Sequence, residues 1–158
     1  MGLFGKAKQI KLIMYHYNGL PGFKENVPCN MFLDEENLHL RFELFASKDS
    51  SIIELPLNKI TNAKLVNVEE IEQQSKIGRA VVGGILFGNA GAIVGAMSAG
   101  EKKKIKTMYI INYISDGEEK VITLQEKGNI NYFKFQKRLN ELLPKQEGGQ
   151  KLPDKITL

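Results

Sequence analysis

Twenty consecutive residues, 80–99, hold five glycines, five alanines and eight larger apolar side chains, with only Asn89 and Ser98 polar. No other stretch limits the fold so tightly. As one helix it would run ~30 Å, about the depth of a bilayer core. Small residues recur at Gly84, Gly88, Gly91, Gly95 and Ser98, at steps of four, three, four and three. On a helix that spacing makes one smooth face, which another backbone can approach closely. The larger side chains around it include Ile85, Leu86, Phe87, Ile93 and Val94. Basic residues stand at both edges, with Lys76 and Arg79 before the run and Lys102, Lys103, Lys104 and Lys106 after it.

Three arrangements follow from this composition. A single membrane span is disfavoured. Eight large apolar residues contribute only about −2 to −5 kcal/mol toward insertion, and lysines on both sides oppose the positive-inside bias. A helical hairpin that turns back at Gly88-Asn89-Ala90-Gly91, with helices near 70–87 and 92–99, returns both basic flanks to one side. Its apolar surface then calls for a second copy of the chain or a membrane. The remaining arrangement buries the run against the chain's own sheet as a connector. The hairpin is the preferred reading, with self-association ahead of lipid contact, and the buried connector stays open.

The rest of the chain reads as short strands and one helix. Apolar residues alternate with polar ones over 10–17 and, most cleanly, at Leu38, Leu40 and Phe42 against His39, Arg41 and Glu43. Further strands are expected at 27–33, 52–57 and 60–68. Pro56 favours an edge or a strand end. Residues 69–79 run from glutamates to Lys76 and Arg79, a polarity suited to a helix dipole. Strands return at 107–115 and 120–125, joined by the hairpin signal Asp116-Gly117. Tyr132, Phe135, Leu139 and Leu142 then repeat at helical spacing until Pro144. Residues 1–143 are expected to form one domain, with 144–158 as a flexible tail.

Short antiparallel strands, a step Leu55-Pro56-Leu57-Asn58-Lys59-Ile60 and a closing amphipathic helix resemble the pleckstrin-homology-like (PH-like) superfold, including its GRAM-type and bacterial members. More narrowly, three features together are similar to a bacterial PH-like family with a glycine-zipper-like insertion. They are Gly19-Leu20-Pro21-Gly22-Phe23, then Pro28-Cys29-Asn30, then the glycine run with its lysines. The resemblance implies a mainly β (β+α) fold. That fold is a small antiparallel barrel or sandwich with a C-terminal capping helix and a glycine-rich helical hairpin inserted between strands. It brings no activity with it, because this superfold hosts many functions.

Composition narrows the chemistry. One cysteine, Cys29, and two histidines, His16 and His39, leave no disulfide framework and little for a soft metal site. Cys29 falls in a strand as a small hydrophobe, and either histidine could be a surface residue. The Met1-Gly2 start lacks both a signal-peptide apolar core and the Ser or Thr of a myristoylation signal, and the single cysteine fits a reducing cytoplasm. There is no phosphate-binding loop, dinucleotide fingerprint, nucleophile elbow or zinc-protease motif. No enzyme, cofactor, metal or small-molecule substrate is expected. The expected partners are a second copy (a homo-oligomer) or a membrane surface at its inner face, through Gly84, Gly88, Gly91, Gly95 and their apolar neighbours. The lysines would then meet an anionic surface. A soluble adaptor that binds a protein or peptide is the alternative. A nucleic-acid binder, resting on Tyr109 and Tyr113 beside the lysines, is the weaker one.

Overall fold

The computed structural model describes residues 9–44, 52–77 (73–77 as backbone only), 93 and 95–144. Its elements are β1 (Ile10–Asn18), β2 (Pro28–Asp34), β3 (His39–Leu44), β4 (Ile53–Pro56), a 3-10 turn (Leu57–Lys59) and β5 (Ile60–Asn67). There follow α1 (Val68–Ile77), α2 (Ala99–Lys104), β6 (Thr107–Ser115), β7 (Glu118–Glu126) and α3 (Tyr132–Leu142). The mainly β architecture with a C-terminal helix is the one expected.

All seven strands form one antiparallel sheet in the order β4-β3-β2-β1-β7-β6-β5. Laid flat, its two edges would lie ~29 Å apart at the usual strand spacing. Yet β4 ends at Pro56 and β5 starts at Ile60, and four residues of chain reach at most ~14 Å. The sheet must therefore roll up until its edges nearly meet. Inside the roll lie Leu12 and Met14 of β1, Cys29, Met31 and Leu33 of β2, and Leu40 and Phe42 of β3, each 0% exposed. The register stacks them, with Leu12 opposite Met31, Met31 opposite Phe42 and Leu33 opposite Leu40.

Helix α3 plugs this interior. Phe135 and Leu139 point inward and are fully buried. Gln136 accepts the Tyr109 hydroxyl (2.6 Å) and donates to the Ala63 carbonyl of β5 (2.8 Å). Arg138 reaches Glu35 beyond β2 at 2.7 Å. Tyr109 is wholly buried and so is not offered to a nucleic acid, and Tyr113 packs half-buried against the same core.

Strand β6 is buried on both faces. Tyr109 and Ile111 belong to the interior, whereas Met108 and Ile110 join Val66, Val68, Ile71, Met97 and Val121 in a second core on the outer face of the sheet. Two close approaches shape the loops. A Cβ on Gly19, at φ +107°, would stand 2.3 Å from the Val121 carbonyl oxygen, so only glycine fits there. Asp116 and Gly117 both have positive φ, as the hairpin between β6 and β7 requires.

His16 is a core residue and not a surface one, at 3% exposed. Its Nδ1–H donates to the Lys24 carbonyl (3.0 Å), and Nε2 accepts the Leu20 N–H (3.0 Å), a tautomer assigned from those partners. The ring meets Phe23 edge-on. It thus clamps the loop between β1 and β2 while neutral. Burial lowers its pKa, outweighing the Lys24 carbonyl and Glu25, which act the other way.

Two outcomes are expected. Leu139→Ala should cost ~2–5 kcal/mol in urea unfolding, because Leu139 is fully buried under α3 and its truncation leaves a cavity there. Since the unfolded His16 binds its proton more readily than the folded one, stability should hold above about pH 6.5 and fall as pH drops below it. In a His16→Asn variant the slope over that window should shrink by one proton. An unchanged slope would mean that His16 is not the titrating group.

Candidate interaction site

The glycine-rich run sits between α1 and β6, and its two flanks are held together. Helix α1 begins as soon as β5 ends, with Glu69 and Glu70 in its first turn, favourable to the helix dipole. Val68 and Ile71 turn onto the outer face of the sheet, at 3% and 1% exposed. On the far flank Ile93 and Gly95 are helical, the chain turns at Ala96-Met97, and Ser98 starts α2. Met97 is buried and Ile93 half-buried against the same second core.

Three links close this neck. The Val68 N–H donates to the Lys106 carbonyl (2.9 Å), Lys102 Nζ pairs with Glu72 Oε1 (3.1 Å), and the Tyr17 hydroxyl donates to Glu101 Oε2 (2.7 Å). Burial, then the Glu101 hydrogen bond, pushes the Tyr17 phenol well up, and the same bond holds the Glu101 carboxyl below its ordinary range. The ion pair is partly exposed and worth at most ~1 kcal/mol. Burying Ile71 and Met97 contributes ~1.5–3 kcal/mol each. Apolar packing therefore holds the neck, and the polar links set its geometry.

This geometry corrects one expectation. The helix expected over 92–99 is interrupted at Ala96-Met97, and a separate helix, α2, carries Lys102, Lys103 and Lys104. The Ser98 hydroxyl accepts the Glu101 N–H (3.1 Å) and the Glu101 carboxylate faces back to the Ser98 N–H (3.5 Å), so the break is a capping box. The spacing Ser98-Ala99-Gly100-Glu101 carries that signal in the sequence itself. The same geometry opposes the single membrane span that the sequence disfavours. Its flanks would stand ~30 Å apart across the bilayer core, whereas Glu72 and Lys102 touch. No helix among the described residues is long and apolar enough to cross a membrane.

Of the expected contact residues, Arg79, Gly84, Ile85, Leu86, Phe87, Gly88, Gly91 and Val94 lie outside the described residues. Lys76 is on the last turn of α1. Gly95 is exposed, and a Cβ there would meet nothing within 4 Å. Lys102 is engaged by Glu72, while Lys103, Lys104 and Lys106 are exposed. Beyond Pro144, the expected tail lies outside the described residues.

Elsewhere the structure adds pairings that sequence reasoning missed. His39 Nδ1 meets Glu54 Oε2 at 3.0 Å across β3 and β4, where the register sets Arg41 opposite Glu54. An open groove of about 300 Å³ runs between Leu38, Pro56, Leu57 and Leu142. Cys29 is buried, and burial pushes its thiol up to about 12. That is the environment of an inert packing residue. Among the described residues no three His, Cys, Asp or Glu side chains converge on a metal-sized site.

No curated protein and no solved structure matches the chain. Residues 24–128 match the family described as glycine zipper containing PH domain. The match starts just before β2 and ends just after β7, so it spans the neck and the glycine-rich segment. The structure adds β1, which pairs with both β2 and β7, and the plugging helix α3. With more than half of its length matched, the chain belongs to the family of glycine zipper containing PH domains.

Proposed function

We propose that the chain is a non-enzymatic binding and scaffolding module that associates with copies of itself through the glycine-rich segment, 80–100. Family membership supports a binding role in general terms, since PH-like domains bind proteins or lipids. The neck carries the finer reading. It brings Glu72 and Lys102 to 3.1 Å, so whatever lies between begins and ends at neighbouring points on one side of the barrel. That is the condition a protruding hairpin needs. Gly95 adds to it, because no described residue approaches closely enough to require glycine there, whereas a partner backbone would. Gly84, Gly88 and Gly91 extend the same spacing. The module acts in the cytoplasm, and Lys76, Arg79, Lys103, Lys104 and Lys106 favour an anionic surface at its inner membrane face.

A second reading, an adaptor for a peptide, draws support from the groove beside Leu38. That residue is 50% exposed at φ 55°, a backbone region that a leucine adopts only at a cost. In this reading the glycine-rich segment is a buried connector, as the packing of Ile93 and Met97 would allow.

Light scattering separates the two. Self-association predicts a mass that rises with concentration above the 17.7 kDa of one chain. Gly88→Leu with Gly91→Leu should weaken association at least ~tenfold by blocking close approach. A mass that stays at one chain at every concentration would remove the self-association reading and leave the adaptor.

A further inference from the structure

One corner of the molecule, far along the sequence from the glycine run, presents apolar side chains that the described residues leave uncovered. Ile130 is 101% exposed and Phe133 82%, and Ile13 beside them on β1 is 36% exposed. The corner is firmly built. Asn129 Oδ1 accepts the Ile13 N–H (2.9 Å), and its Nδ2 donates to the Ile13 carbonyl (3.0 Å) and to Glu126 Oε1 (2.9 Å). The Gly128 N–H donates to the same carboxylate (2.6 Å). Asn129 thus continues the pairing of β7 with β1 beyond the strand end. The burial of Phe135 and Leu139 fixes the rotation of α3, which turns Phe133, Lys134 and Lys137 outward.

Cations lie close by in the chain on both sides of the apolar pair. Lys134 and Lys137 are exposed on the same helix face, and Lys127, also exposed, holds its ammonium 4.1 Å from the centre of the Tyr15 ring. The nearby acids are engaged, Glu126 by Gly128 and Asn129, and Glu141 by Arg138 at 2.7 Å. Because β6 and β7 are antiparallel, Lys106 at the neck lies at the same end of the sheet as Lys127.

We propose that Ile130 and Phe133, flanked by Lys127, Lys134 and Lys137, dock this corner onto an anionic lipid surface. A protein partner fits it less well. Interface cores between proteins are depleted in lysine and need a matched surface of ~800 Å² on each side. A convex apolar tip among lysines suits the boundary between headgroups and acyl chains, which deforms to receive it. The lysines then face anionic headgroups, each adding to the attraction. This surface is separate from the glycine-rich segment, and the inference does not depend on the proposed self-association.

The chain contains no tryptophan, so Phe133→Trp is a single-site reporter. Its emission should shift to the blue when phosphatidylcholine vesicles containing phosphatidylserine are added. Vesicles of phosphatidylcholine alone should leave it unmoved, and added salt should reverse the shift. In flotation, full-length Ile130→Ser/Phe133→Ser should partition at least ~tenfold more weakly than the wild type. Both positions are exposed, and an unchanged unfolding midpoint confirms that the fold is intact. Absence of a blue shift, or flotation of the double variant at the wild-type level, overturns the proposal. So does a shift that follows protein concentration without vesicles, which marks a protein interface instead. Gly88→Leu/Gly91→Leu should float like the wild type whatever its mass, which separates failure here from failure of self-association.

Discussion

Rolling the sheet is the constraint on which everything else depends. Strands β4 and β5 are its two edges and yet are joined by only three residues, Leu57–Lys59. A seven-stranded sheet can satisfy that connection only by curling, and curling creates an inside and an outside with different requirements. The inside needs a plug at its open end, which α3 supplies with Phe135 and Leu139. The outside has an apolar patch from Val66, Met108, Ile110 and Val121 that no strand can cover. The flanks of the glycine-rich insertion cover it.

The flanks of the insertion therefore belong to the domain, because Val68, Ile71, Met97 and Ile105 complete the second core. Polar groups reinforce them. Glu101 closes the capping box of α2 and receives the Tyr17 hydroxyl, so one carboxylate both starts a helix and ties it to β1.

Much of this was legible in the sequence, and the part that was not has a physical reason. The alternation of Leu40 and Phe42 with Arg41 and Glu43, the Asp116-Gly117 turn and the spacing of Phe135 and Leu139 are local signals, and each element formed where its signal lay. Strand β6 was harder. Its apolar run serves two cores, and a one-sided pattern cannot show that. His16 reads as a surface residue because its partners are carbonyl and amide groups of a loop, which leave no mark in residue types. Tyr17 and Glu101 stand 84 positions apart, and only the completed sheet brings them together. The family match and the fold agree on the barrel, while the contacts proposed for the glycine segment rest on the neck and on residue spacing.

The neck has one more consequence, for how such a chain can vary. Val68 and Lys106 are bonded backbone to backbone, so the domain experiences the intervening chain as a closed loop grafted at a point. The entropy of closing a loop grows only with the logarithm of its length, at ~0.6 kcal/mol per doubling. Lengthening, trimming or exchanging the interior of the insertion would thus leave the register of β5 against β6 almost untouched.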